Sequence, residues 1–268
     1  MDIAQKLLTE FPPQPVFHYT SLRGLHGIVH EKKIWATNVL YVNDSTEVQY
    51  AIDVARKEIG QRKNSTSFEL RHLEAIRVGL TSLSESEFKS EIYISSFSLF
   101  GDQLSQWRGY CPDGNGFSIG FDFSKLGEQM KKQYFRSAKC IYDRSDQAKI
   151  LQAFLAEALT KLQAGCPLYE IQLSFLAIAP VLKDPKFSEE QEWRLISLPL
   201  VFDEVKYRCG KSMLIPYYEF ELDPLSFKKI YIQQTPCQDL SKLSLRYLLW
   251  SENIDGCDIE ISGIPYRS

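Results

Sequence analysis

Apolar and polar positions follow two periods along this chain, and the switch between them marks its organisation. After Pro12, Pro13 and Pro15, the stretch Val16 to Tyr19 reads as a short strand. It runs into a helical pattern with apolar residues at Leu22, Leu25, Ile28 and Val29, capped by Thr20 or Ser21. Apolar spacing at Val48, Ile52, Ala55 and Ile59 predicts a second helix, preceded by Asp44 with Glu47 three positions later, a capping-box pattern. A third, less regular helix is expected over Phe68 to Leu80, between polar loops at 61–67 and 81–90. From Glu91 the period falls to two. Ile92 and Ile94 alternate with Tyr93 and Ser95 as far as Phe97, and Phe117, Ile119 and Phe121 repeat the alternation after the turn at Asp113-Gly114-Asn115-Gly116, so these two strands are expected to be adjacent.

Ile150, Phe154, Ala158 and Leu162, flanked by Leu151, Leu155 and Leu159, predict a strongly amphipathic helix, with a shorter one after Pro167. Strands are expected again over Glu190 to Leu198, Leu214 to Leu222, Phe227 to Gln233 and Gly256 to Ser262, with a helix around Leu240 to Leu249 between the last two. Helices and strands do not alternate regularly, which argues against a doubly wound parallel sheet. The expected fold is α+β: one compact domain over 1–268, with a tail at 1–14 and a mixed or antiparallel β core flanked by helices. The chain carries no internal repeat, Walker motif or G-x-G-x-x-G.

Composition narrows the class. With 44% apolar residues over 268 positions, the chain has enough material for a self-sufficient core. Its 31 Lys+Arg and 34 Asp+Glu give a net charge of −3, which excludes a global cationic field for non-specific nucleic-acid binding. The six cysteines are widely spaced with no C-x-x-C and read as reduced thiols. MDIAQKLLTEFPPQP lacks the features of a secretory signal, and the apolar run Leu173 to Leu182 is broken by Ser174 and Pro180. A cytoplasmic protein without membrane association is expected.

Four clusters concentrate polar side chains where a core would not need them. In Phe17-His18-Tyr19-Thr20, a histidine at a strand end precedes a hydroxyl at a helix start, a pair suited to a ribose or phosphate. The alternative is a cap and a satisfied core histidine. Asn43, Asp44 and Glu47 could offer oxygens to a cation, although one helical turn supplies too few, and the capping box accounts for them better. In ISSFSLFGDQLSQWRGY, Ser95, Ser96 and Ser98 lie on or after a strand, and Trp107, Arg108 and Tyr110 follow a short polar turn. Hydroxyls, an aromatic plane and a guanidinium suit an adenine or nicotinamide ring beside a pyrophosphate. Equally, Trp107 would serve as core and Arg108 as half of an ion pair. In Glu189-Glu190-Gln191-Glu192-Trp193-Arg194, a strand would put Glu190, Glu192 and Arg194 on one face at spacings of about 6.6 Å. Burying them is costly without a purpose, whereas a solvated edge strand would carry them without that penalty.

Taken in order, HYTSLRGLHGIV, the stretch from Trp35 ending in NDSTE, SSFSLFGDQLSQWRGY, GFSIGFD, E-x-E-W-R, LIPYYEFEL with KKIYIQQ, and SGIPYR resemble a bacterial family designated domain of unknown function 2971, over about 15–267. The His-x-Thr start followed by a helix also resembles ADP-ribosyltransferase-like folds. That resemblance implies His18 anchoring the ribose of NAD, Tyr19 and Thr20 the adenosine side, and Ser95 and Ser96 the pocket floor. Trp107 and Tyr110 compete to stack on nicotinamide, and Arg108 is expected to clamp phosphate. Glu192, kept ionised by Arg194, would be the catalytic carboxylate, and Glu190 would orient or deprotonate the acceptor. The implied activity is an NAD-dependent ADP-ribosyltransferase or NAD glycohydrolase, with NAD as substrate, no metal, and protein, nucleic acid or water as acceptor. Enzymes of this type often act as toxins or anti-phage effectors, with a separately encoded regulator or antitoxin. Two rivals remain open: a nucleotide-binding module without turnover, and a metal-dependent hydrolase or nuclease using Asp44, Glu47, Glu190 and Glu192.

Overall fold

A computed structural model of the chain describes residues 6–42, 46–62, 66–83, 92–111, 114–198, 205–210 and 212–265. Asn43, Asp44 and Asp113, and the end of the SGIPYR motif, lie outside these residues, so the helix cap expected at Asp44 does too. The chain forms one α+β unit around a mixed sheet of ten strands. The first half of the fold holds β1 (Val16–Ser21), α1 (Leu22–Glu31), β2 (Lys33–Asn38), α2 (Thr46–Gln61), α3 (Ser67–Ser82), β3 (Tyr93–Ser98), α4 (Leu104–Tyr110) and β4 (Gly116–Phe121). There follow α5 (Gly127–Lys132), β5 (Phe135–Lys139), α6 (Arg144–Gln163), α7 (Leu168–Ile178) and β6 (Glu192–Ser197). The last part comprises β7 (Lys206–Cys209), β8 (Leu214–Glu221), β9 (Phe227–Ile232), α8 (Gln238–Ser251) and β10 (Asp258–Ile261). All strand pairs are antiparallel except β9 with β10.

The two strands expected to be neighbours, β3 and β4, are separated by β1. Six consecutive residues of β1 pair with β4, whereas β1 meets β3 at one position, Phe17 opposite Ser98. The other end of the same β3 edge pairs with β2 at Ile94 and Tyr93, while the opposite edge pairs along its length with β6. The sheet therefore splits where β1 and β2 diverge from β3. Alternation assigns the faces of β3 and β6. Phe97, Trp193 and Leu195 enter one core, roofed by α1 and α8, and Ile94 and Ile196 enter a second, built by α2, α3, α6 and α7. Ser96, Ser98, Glu192 and Arg194 share the face of that second core.

The segment expected to be a tail is tied down: Leu8 is buried, Thr9 bridges Ser137, and the Ser137 hydroxyl donates to the carbonyl of Glu10. Ser21 caps α1, its Oγ accepting from Gly24 N at 3.2 Å. The loop expected at 61–67 ends in a capping box, Thr66 with Glu69, that starts α3. No described helix is long and apolar enough to cross a membrane.

Candidate functional site

The sheet's split places two kinds of group together: the half-buried His18 on β1 and a buried ionic cluster at the start of β6. Strand β6 lies between β3 and β5, and every residue of it is buried, which overturns the solvated-edge alternative. Glu190 is not on the strand. It ends a 3-10 turn, and Gln191, at φ 43°, takes the left-handed conformation that breaks the alternation. The turn is held by Ser98, whose hydroxyl donates to Glu190 O at 2.8 Å, and by Leu99 N, which donates to Gln191 O at 3.2 Å.

Glu192 and Arg194 are 4% and 2% exposed. Arg194 donates through Nε to Glu192 Oε1 at 2.6 Å, through Nη2 to Glu192 Oε2 at 3.0 Å and Glu47 Oε1 at 2.9 Å, and through Nη1 to Pro180 O at 2.6 Å. Lys183, itself 5% exposed, donates to both Glu190 and Glu192 and lies 3.4 Å from Glu47. Three carboxylates thus share two cations. Desolvation would raise the carboxyl pKa of Glu192, but the Arg194 guanidinium and Lys183 ammonium overcome it and hold the group well below the ordinary range. Glu190 goes the other way: burial raises its pKa, opposed by the bond from Lys183. Tyr142 completes the surroundings, its hydroxyl accepting from Glu192 N at 3.0 Å.

A small cavity of about 50 Å³ opens on this cluster where β1 parts from β3, with His18, Ser96, Gln106, Tyr110, Glu190 and Glu192 among its walls. The His18 ring has Nδ1 3.0 Å from Ser96 O, so Nδ1 carries the proton and Nε2 the lone pair. Burial lowers the pKa of His18, with the Ser96 carbonyl acting against it, so the ring is neutral near pH 7. Tyr110 is 44% exposed, yet its hydroxyl pKa is pushed up to about 12 by desolvation and then by the charges of Glu192 and Glu190. The same ring borders a larger groove of about 660 Å³.

The expected site residues divide accordingly. His18, Tyr19, Ser96, Tyr110, Glu190 and Glu192 meet at the cavity, with Arg194 behind Glu192. Tyr19 has mainly a structural part: its hydroxyl donates to Phe100 O at 2.7 Å, accepts from Gln103 N at 3.1 Å, and its ring meets Trp107 edge-on. Trp107 is fully buried with Nε1 donating to Asp102 at 2.7 Å, so that of the two aromatics competing for the stacking role only Tyr110 lines the cavity. The turn expected before Trp107 is the helix α4. Arg108 is exposed and lines neither cavity, Ser95 donates to Trp35 O at 3.1 Å, and the Thr20 side chain packs on Gly24. Glu47 joins the other carboxylates, but they converge on Lys183 and Arg194. Among the described residues no group of three or more His, Cys, Asp or Glu is arranged to hold a metal ion. Lys183 and Gln106 escaped the sequence analysis. The signal for Lys183 was a lone cation closing the apolar run Phe175 to Leu182.

The site and sheet define an α+β protein with a polar cleft at a strand divergence. Residues 106–195 match the sequence model of a family described as protein of unknown function (DUF2971), which agrees with the resemblance for GFSIGFD and E-x-E-W-R and does not extend to the motifs before 106 or after 195. The match contains Tyr110, Lys183, Glu190, Glu192 and Arg194, while His18, Glu47 and Ser96 lie outside it. No curated protein and no solved structure matches the chain.

Proposed function

We propose that this protein cleaves the nicotinamide–ribose bond of NAD and passes the ADP-ribosyl group to an acceptor, as an ADP-ribosyltransferase or NAD glycohydrolase of ADP-ribosyltransferase-like type. The observation that carries it is the convergence of His18, Ser96, Tyr110, Glu190 and Glu192 on one cavity at the split of the sheet. Breaking the C1′–N bond sends its electron pair to the nicotinamide nitrogen and leaves positive charge on C1′ and the ring oxygen. A carboxylate kept ionised in low-dielectric surroundings stabilises that charge, the part given to Glu192. His18 Nε2 and Ser96 Oγ offer an acceptor and a donor for ribose hydroxyls. Glu190, with its raised pKa, takes the proton of the attacking hydroxyl, because a base poised nearer neutrality is the more effective one. A cavity of about 50 Å³ holds water rather than a ribosyl group, so substrate entry requires the partly exposed Tyr110 ring to swing outward.

One observation favours a second reading, a nucleotide-binding module without turnover: both oxygens of Glu192 are already satisfied by Arg194 and Lys183. Nicotinamide release from NAD, measured for wild type beside Glu192→Gln, separates the two. Release that needs Glu192 supports catalysis; NAD binding without release in either protein supports the binding module.

A further inference from the structure

The groove of about 660 Å³ beside Tyr110 is not used by the cluster at β6. Two helices begin at it. Ser21, Leu22 and Arg23 open α1, and Cys237 precedes α8; all four line the groove. The first N–H groups of a helix have no intrahelical acceptor, and the helix dipole places partial positive charge there. At α8 Cys237 supplies no side-chain cap. Of the N–H groups that follow, Gln238 N donates to Thr235 O at 3.2 Å.

A second, independent observation points to a ligand. Gln233 is 0% exposed and lines the groove. Its Oε1 accepts from Gly116 N at 2.9 Å, which fixes the amide and leaves Nε2 as a donor with no partner among the described residues. Buried donors are nearly always paired, so an unpaired one beside a groove marks a place where an acceptor is expected. Arg23 adds an exposed guanidinium that makes no ion pair among the described residues. The opposing charge in the first turn of α8, Asp239, is exposed and does not line the groove. Leu22, Phe117, Ile232 and Pro236 give the same groove an apolar wall.

We infer that this groove binds the diphosphate of a nucleoside diphosphate, with the phosphates at the two helix starts, Arg23 and Gln233, and the base on the apolar wall. Tyr110 borders both the groove and the cavity at Glu192, so the diphosphate-bearing half of a dinucleotide would lie here; that last placement rests on the NAD reading, the anion site does not.

Calorimetric titration of the full chain with ADP, inorganic pyrophosphate and adenosine tests this. ADP binding is expected, with affinity lowered at least fivefold by Arg23→Ala and further by Gln233→Glu, which keeps the acceptor for Gly116 N and replaces the free donor with an anion. Glu192→Gln should bind ADP within about twofold of wild type. No ADP binding by wild type, or affinity unmoved by Arg23→Ala in a folded protein, overturns the assignment. Pyrophosphate bound as tightly as ADP, or adenosine alone bound as tightly, overturns the nucleoside diphosphate as the ligand. ADP held through Arg23 without nicotinamide release from NAD would refute the glycosidic reading alone; release from NAD with ADP affinity indifferent to Arg23 would refute this site alone.

Discussion

Replacing Lys183 with Met removes the ammonium between Glu47, Glu190 and Glu192 while keeping a flexible apolar stem of similar length. The side chain of Lys183 is only 6% exposed, so water cannot take over the solvation of the carboxylates it leaves. Glu47 and Glu192 would then share Arg194 alone, and Glu190 would lose the cation it is bonded to. Breaking a buried ion pair from one side costs about 3–5 kcal/mol, and for a chain of this length about 2–4 °C in Tm accompanies each kcal/mol, which gives a fall of roughly 6–20 °C. Thermal unfolding followed by circular dichroism at pH 8 and pH 5 measures it. The penalty should be larger at pH 8. Without the ammonium, Glu190 and Glu192 lose a charge that held them ionised, and protonation on acidification relieves their repulsion. In wild type Glu192 has a depressed folded pKa, so its contribution is complete above the ordinary carboxylate pKa near about 4.3 and is lost only as pH falls through the low folded value. A Tm drop below about 3 °C at pH 8, or equal penalties at both pH values, would refute the claim that the cluster is an interdependent ionic network.

Arg108→Ala should leave NAD affinity and turnover within about twofold of wild type, because the side chain is exposed and lines neither cavity; a tenfold loss of affinity in a binding titration would restore the phosphate-clamp role expected from the sequence. Tyr110→Ala should weaken NAD binding while Tyr110→Phe retains it, if the ring rather than the hydroxyl covers the cavity; equal losses in both variants would point to the hydroxyl. His18 has a folded pKa lowered by burial, so the unfolded chain binds the extra proton first and stability should fall as pH drops below about 6.5. Substituting His18→Gln should flatten Tm between pH 7.5 and 5.5, and an unchanged slope would assign the acid sensitivity elsewhere.

Much of the fold is legible from periodicity because its longest elements have one face in a core. The helices α6 and α8 show this through Leu151, Phe154, Leu155, Leu245 and Leu249. The strands missed by the periodicity are those with little apolar signal of their own: β2 has Lys33, Thr37 and Asn38 around Ile34 and Ala36, β5 has Arg136, Ser137 and Lys139 around Phe135 and Ala138, and β7 is the short run Lys206-Tyr207-Arg208-Cys209. Their place is set by neighbouring strands, as is usual for β structure. Strand order was illegible for the same reason, since nothing local to β1 says that it inserts between β3 and β4. At the site, His18, Glu190 and Glu192 were legible as polar residues on apolar elements. Lys183 was not, and Glu47 was grouped with them only as a possible metal ligand, because the two stand 9 and 145 positions from Glu192 and only the tertiary fold gathers them into an ion-pair cluster. The proposed grouping of Glu190 with Glu192 survived for a different reason than alternation: the left-handed Gln191 turns the chain, and Lys183 gathers both carboxylates.

The most direct measurement is the time course of nicotinamide release from NAD by purified protein, with and without cell lysate as a source of acceptor, for wild type and Glu192→Gln, each assayed well below its own Tm. Release by wild type is expected, with a fall of about 10²-fold or more in Glu192→Gln, the scale on which removing one transition-state electrostatic contact acts. Stimulation by lysate would identify a transferase, and release without lysate a glycohydrolase. Equal release by both proteins, or none from either under any condition, would contradict the proposed activity.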